Sequence, residues 1–338
     1  MIAGLTTLRI GGPARRLVVA ETEDELVEAV READAAGEPL LVLAGGSNVV
    51  VADDGFPGTV ALVRTSGVRL DGDELRVQAG EEWDPLVARC VAEGLQGFEC
   101  LSGIPGSTGA VPVQNVGAYG QEVAETVTWV RVLDRATGAV ETMTAAECGF
   151  SYRSSVFKHD PRRVVLEVAF RLRPDGLSGP LRYAELARAL DVPLGGRAPL
   201  GDVREAVVGL RRRKGMVIDP ADPDSVSAGS FFTNPVLSAE GFAALSARAA
   251  AEPPGWPESD GRIKTSAAWL IERAGFARGH GNGRVGISTK HTLALVNRGG
   301  ATAADLVAFA RTIADGVRER FGVELVPEPV LVGLDWRR

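Results

Sequence analysis

Two glycine-rich stretches carry residue types from which a phosphate-binding surface can be made. The longer is Gly103 to Gly120, GIPGSTGAVPVQNVGAYG, with two prolines and a Ser-Thr pair among its glycines. It has neither helical nor two-residue periodicity. Its backbone must therefore turn repeatedly, with glycine where positive φ or close approach is needed and proline to fix φ. A run of N–H groups held in this way can cradle phosphate oxygens; an ordinary long loop fits the same composition. The shorter stretch, AGGSN at Ala44 to Asn48, follows the apolar run Leu40 to Leu43. Two such loops are what an extended diphosphate cofactor requires. A formal GxGxxG at Gly281, Gly283 and Gly286 fails as a nucleotide fingerprint. A helical pattern, Ser266 to Ala274, precedes it and a strand-like run, Thr292 to Val296, follows, which reverses the strand–loop–helix order of that motif.

Other chemistry is limited by what the chain contains. Cys90, Cys100 and Cys148 are odd in number and none sits in a CxxC pair, which argues against a disulfide scaffold or a cysteine zinc site and for a reducing compartment. A formal charge of -7 argues against nucleic-acid or anionic-membrane partners, which need clustered excess base. The one basic run, Arg211 to Lys214, ends a helical pattern, where cations suit the helix dipole. No run of apolar residues reaches membrane-spanning length and the start shows no signal-peptide pattern, so the expectation is a cytoplasmic protein.

The elements that must position the loops follow from the pattern around them. Leu17 to Ala20 reads as a strand, and Thr22 with Glu25 forms a capping box opening a helix through Ala36, with Leu26, Ala29, Val30 and Ala33 inward and Gly37 ending it. Leu40 to Leu43, Val49 to Val51 and Thr59 to Val63 are further short strands. Because AGGSN leads into strand and not helix, this is an α+β unit and not a Rossmann one. A hairpin follows from Val68, and then a helix with Asp84 as its cap, Pro85 at its first position and Gly94 closing it. Strands Val127 to Leu133, Val140 to Met143 and Val164 to Leu172 come after the long loop. A short helix spans Ala184 to Leu190, and Asp202 with Glu205 caps the helix ending at RRRKG. Helices Ala239 to Ala250, Ser266 to Ala274 and Ala303 to Phe321 mark a separate C-terminal section, the last with Leu306, Phe309, Ile313 and Val317 on one face. AEPPGWPESDG reads as a proline-rich loop.

Several strings stand in one order across nearly the whole of the 338 residues: TLRIGGPA, AGGSNVVV, GIPGSTGAVPVQNVGAYG, YRSSVFK, GSFFTNP, KTSAAWLIERAG and a Pro-Glu near the end. Together they resemble the UDP-N-acetylenolpyruvoylglucosamine reductase family. Tyr183, in LRYAEL, places the chain with the type that carries a tyrosine loop over the substrate. The resemblance implies an FAD-binding fold of the vanillyl-alcohol-oxidase (PCMH) type in two α+β subdomains, residues 1–66 and 67–213. A C-terminal α/β substrate domain, 214–338, would follow, its last strand free to return to the FAD domain. It also implies FAD and NADPH as cofactors and a nucleotide sugar as small-molecule partner, in peptidoglycan synthesis. A monomer is favoured. The residues alone reach two phosphate loops in α+β units; flavin comes from the resemblance.

The resemblance assigns roles that the isolated residues do not disclose. Arg153 would bind the substrate carboxylate, its fork suited to bidentate contact. Glu328 would stabilise or protonate the enolate oxygen, and Ser230 would give the proton to carbon. Taken alone, these read as a surface arginine on a strand end, an exposed acid between prolines and a turn cap. FAD contacts map onto Gly45, Gly46, Ser47, Asn48 and Val49, and onto Pro105, Gly106, Ser107, Gly109, Ala110, Asn115, Gly117 and Ala118. Substrate contacts map onto Tyr119, Tyr183, Lys214, Asn234 and His291; no metal is expected. The chain departs from the family pattern at Val326, where an acid is frequent, and at Pro329, where valine is common, which bears on the placement of Glu328. Two alternatives stay open on sequence: another flavin oxidoreductase of the same superfamily acting on an alcohol or sugar, or a non-catalytic flavin or nucleotide-sugar binding protein. Cys100 is the cysteine nearest the long loop.

Overall fold

The computed structural model describes residues 1–337. The chain forms two compact units: a central one from Ala14–Gly46 and Pro57–Arg213, and a terminal one from Met1–Pro13, Ser47–Phe56 and the segment from Lys214 onward.

In the central unit, strands Ala14–Ala20, Phe56–Val63 and Leu40–Leu43 form one sheet in that order, the last two parallel. The helix Glu23–Ala35 lies between the first and last of them in sequence, and both halves of its expected capping box are made. Leu26, Ala29, Val30 and Ala33 are all buried on it, joined by Val27. A second, wholly antiparallel sheet has the order Val140–Thr144, Val127–Asp134, Arg163–Arg171, Glu74–Gln78, Val68–Asp71. Its core meets the helix Trp83–Ala92 through a fully buried aromatic cluster, with Trp83 and Phe98 centroids 4.9 Å apart and Phe98 and Phe170 also at 4.9 Å. Losing Trp83 would cost about 3–5 kcal/mol.

Two helix starts differ from the sequence reading. Asp84 is not the cap of its helix: Glu82 holds that position, without a side-chain bond, and the Asp84 carboxylate is turned toward Arg204 and Gly103 instead. The last helix of this unit spans Leu200–Arg213, so Asp202 lies inside its first turn. Val203, Val207 and Leu210 form a buried stripe on it and pack with Leu181, Leu186 and Ala187 as a separate small core.

The terminal unit is built around the helix Ala303–Phe321, whose bounds match those expected and whose Leu306, Phe309, Ile313 and Val317 are buried. Thr302 and Asp305 make its capping box, Gly322 ends it at φ 72°, and the Asp53 carboxylate accepts the N–H groups of Ala303 and Ala304 at 2.7 and 3.0 Å. Against it lies the antiparallel sheet Ser227–Ser230, Ala294–Asn297, Val285–Ile287. Val285–Ile287 escaped the sequence reading because it is short and has a glycine, Gly286, at its centre. The glycines of the formal GxGxxG belong to a hairpin, in which Gly281 and Gly286 bridge and Asn282 N–H donates to Val285 O. The proline-rich loop likewise contains a hairpin, Gly255–Pro257 with Ile263–Thr265. Strand Val330–Val332 runs parallel to Val49–Val51.

Candidate active site

The two glycine loops meet backbone to backbone in the central unit. A Cβ on Gly45 would stand 2.6 Å from Gly106 Cα, and one on Gly109 would stand 2.9 Å from Ala79 Cα, so neither position has room for a side chain. The second loop is laced onto the segment 79–84. Trp83 N–H donates to Gly106 O, Thr108 N–H to Glu81 O and Gly109 N–H to Ala79 O, at 2.8–3.0 Å, and Ser107 bridges Glu82. Among the described residues, the N–H groups of Gly45, Gly46 and Gly106 meet no protein acceptor, and Gly46 is buried. Donors of this kind, beside a pass that any Cβ would fill, fit the diphosphate of a cofactor such as FAD. Pro105 and Ala110, both half-buried, lie on the same run.

The entry to this loop is held by charge. Gly103 N–H donates to Asp84 Oδ1 at 2.6 Å, and Gly103 O accepts from Arg211 Nε at 3.1 Å. Arg204 grips the same Asp84 carboxylate with both terminal nitrogens, at 2.6 and 3.0 Å. Burial pulls the Asp84 pKa up, but the Arg204 fork, the Gly103 N–H and the two nearby guanidinium charges outweigh it and set the carboxyl below its usual range. Arg211 is buried, at 8% exposure. The basic run thus does more than suit a helix dipole: its first member points inward to a loop carbonyl. No sequence pattern signalled this, since Arg211 stands beside Arg212 and Arg213, which are exposed.

The middle of the loop is tied to the turn that carries Arg153. Ser151 and Ser154 exchange backbone hydrogen bonds, and Arg153 sits in that turn at φ 53°. Such a conformation in a non-glycine residue persists only where neighbours enforce it. Here Arg153 Nη2 donates to Gly117 O at 2.7 Å, Lys158 Nζ to Arg153 O at 3.0 Å, and Ser155 Oγ to Val113 O at 2.7 Å. Asn115, 1% exposed and itself at φ 44°, donates through Nδ2 to Glu122 Oε2 and Ser151 O and accepts Ala124 N–H. Its side chain is therefore committed to the turn. Gly117 and Ala118 pair with Gln121 and Glu122. Tyr119 follows at φ 49°, its ring edge-on to Tyr183 at 5.4 Å, and burial pushes its phenol up to about 12. Cys100 is buried in the small core nearby, where desolvation raises its thiol well above the ordinary range.

The terminal unit holds the other assigned residues. Ser230 ends strand Ser227–Ser230 opposite Ala294, after Gly229 at φ 71°. The next residues pair with the segment around Glu328: Glu328 N–H donates to Phe231 O at 2.8 Å, Thr233 N–H to Val326 O at 3.1 Å, and Phe232 bridges Pro327. Val330 N–H then donates to Asn48 O at 3.0 Å, and Asn48 Nδ2 reaches Glu328 O at 3.5 Å. Ser230 and Glu328 are thus brought onto adjoining backbone runs, next to Ser47, Asn48 and the buried Val49. Proline at 327 and 329 removes no bond from this ladder, because the donors in use belong to Glu328 and Val330. Asn234 Oδ1 accepts Ala267 N–H at 3.0 Å, which leaves its NH2 as the end that can face outward. His291 stands in the turn before Ala294, with its N–H on Ser288 Oγ. Lys214 is half-buried at the start of this unit's long segment. The structure therefore sets Arg153, Tyr119 and Tyr183 in the central unit and Ser230, Glu328, Asn234, His291 and Lys214 in the terminal one.

The chain is similar to known proteins over nearly its whole length. Residues 14–144 match the profile of an FAD binding domain, and residues 220–332 that of the UDP-N-acetylenolpyruvoylglucosamine reductase C-terminal domain. Curated proteins named UDP-N-acetylenolpyruvoylglucosamine reductase are 58% identical in Thermobifida fusca, over 98% of this chain and 97% of that one, and 61% identical in Salinispora arenicola, over 97% and 93%. A crystal structure of the reductase of that name from Thermus caldophilus aligns with TM-score 0.68 at 27% identity, covering 98% of this chain and 97% of that chain. FAD is accordingly the cofactor that the glycine loops fit, and the chain belongs to the UDP-N-acetylenolpyruvoylglucosamine reductase family.

Proposed function

We propose that this chain reduces the enolpyruvyl ether of UDP-N-acetylglucosamine enolpyruvate to UDP-N-acetylmuramate, with FAD as cofactor and NADPH as the source of hydride. The observation that supports this reading is the bond from Glu328 N–H to Phe231 O, one residue beyond Ser230, since the reaction needs a proton donor and an oxyanion stabiliser near one another. When bound, FAD supplies hydride to the methylene carbon of the ether. Negative charge then develops on the adjoining carbon and its carboxylate. Arg153 binds that carboxylate with its planar fork, and its strained turn keeps the guanidinium anchored to Gly117. Glu328 faces the developing enolate oxygen, and the Ser230 hydroxyl delivers a proton to the carbon beside it, so the substrate gains hydride and proton overall.

Lys214 offsets a diphosphate charge, Asn234 presents its NH2 to the nucleotide sugar, and Tyr119 and Tyr183 line the same substrate. His291 is a further substrate contact. The 1–66 and 67–213 segments serve FAD and the segment from 214 serves the substrate. The setting is the cytoplasm, with the product entering peptidoglycan synthesis in growth and division, and the working form is a monomer. Among the described residues no helix is long and apolar enough to cross a membrane. The test is kinetic: add UDP-N-acetylglucosamine enolpyruvate to purified protein and follow NADPH absorbance. Substrate-dependent oxidation is expected, and none across the neutral pH range would leave a binding protein as the better reading.

A further inference from the structure

Both backbone polar groups of one residue, the N–H and C=O of Gly103, are held by side chains of opposite charge from two different helices. Asp84, on Trp83–Ala92, accepts the N–H at 2.6 Å; Arg211, on Leu200–Arg213, donates to the carbonyl at 3.1 Å. Arg204 stands about two turns before Arg211 on the same helix, and its bidentate grip fixes the carboxylate that receives the N–H. Asp84 and Arg204 are largely covered, with side-chain exposures of 33% and 22%. Gly103 is at φ 71°, a conformation that other residues rarely adopt, and it is where the chain turns into the run that passes Gly45. From there the lacing bonds on 79–83 carry the loop onward, so the Asp84 and Arg211 bonds to Gly103 are the ties at the loop's entry.

We infer that Asp84 is a positioning residue for the cofactor: held by Arg204, it fixes the Gly103 peptide and so sets the path of the loop on which the FAD diphosphate rests. The residue would touch no part of FAD. Its effect passes through the backbone, and the small helical core of Leu186, Val203, Val207 and Leu210 serves to deliver Arg204 and Arg211 to this point. The inference rests on the placing of the diphosphate on the Gly103 to Gly120 loop proposed above.

The experiment is a double-mutant cycle on FAD binding. Apoprotein of wild type, Asp84→Ala, Arg204→Ala and the double variant is titrated with FAD by flavin fluorescence, and the thermal midpoint of each apoprotein is recorded. Asp84→Ala should weaken FAD binding about tenfold or more, the loss of one charge-assisted hydrogen bond. Adding Arg204→Ala should recover part of the stability, because an unpaired guanidinium is removed, but none of the FAD affinity, because the Gly103 bond stays lost. FAD affinity that returns together with stability, or that never falls, overturns the inference and leaves an ordinary ion pair. Should Asp84→Ala not fold, the double variant decides alone: weakened FAD binding supports the clamp and wild-type binding refutes it. Gly106→Val separates this from the reading beneath it. If that variant binds FAD normally, the diphosphate lies elsewhere; if it fails while Asp84→Ala binds normally, only the clamp is wrong.

Discussion

The central and terminal units present functional groups in opposite ways. On the proposed reading the central unit offers the cofactor backbone N–H donors, and side chains such as Asp84, Asn115 and Ser155 are used up in holding the backbone that carries them. On the same reading the terminal unit offers side chains, Ser230 and Glu328, and a backbone ladder holds the segments that carry them. The first arrangement punishes any added side chain at its close pass. The second tolerates change along the ladder but not at the two reacting positions.

The sharpest way to break this contrast is at a reacting side chain. Glu328→Gln should retain full flavin content, judged by the visible spectrum, while kcat falls by about 10²–10³, the usual loss for removing one oxyanion stabiliser. Loss of flavin instead would mean that Glu328 is part of the cofactor cradle. Gly45→Val should do the reverse, because its side chain would run into Gly106 Cα: apoprotein should bind FAD at least about tenfold more weakly for about 1–3 kcal/mol of strain.

Acid sharpens the comparison further. Asp84 is depressed in the folded protein, so its stabilising contribution is complete above the unfolded value of about 3.9 and is lost as pH falls through the lower folded value. The thermal midpoints of wild type and Asp84→Asn should therefore converge on going from pH 5 to below pH 4; a gap that stays constant would show that the carboxylate charge is not involved. Smallest of all should be Pro329→Val. Because Pro329 gives up no bond in use, kcat should change by less than about threefold, within the range of neutral substitutions.

Periodicity was enough for much of the scaffold. The long helix Ala303–Phe321, the capping box of Glu23–Ala35 and the antiparallel hairpin from Val68 follow from local patterns that tertiary packing did not override. The glycine loops were legible as repeated turns because glycine takes positive φ at low cost, whereas Asn115 and Tyr119, which share that conformation, gave no such signal. Asp84 was misread for a physical reason: an acid one residue before proline at a helix start has the pattern of a cap, and only the distant Arg204 diverts it. The buried Arg211 was hidden within a run of arginines of which the neighbours are solvated. Ser230 and Glu328 lie 98 positions apart in sequence, and no spacing rule could pair them; the strand contact between Phe231 and Glu328 does so. The strands Gly255–Pro257 and Val285–Ile287 have no sequence signal because each is three residues long.

The division of labour between the units is tested most directly by one anaerobic single turnover of Ser230→Ala. The variant should carry as much flavin as wild type; once reduced and mixed with UDP-N-acetylglucosamine enolpyruvate, its oxidised flavin bands should return more slowly by a factor on the order of 10². Return of the bands at the wild-type rate would remove Ser230 from the reaction, and a colourless variant would place it in the cofactor site, either of which contradicts the account.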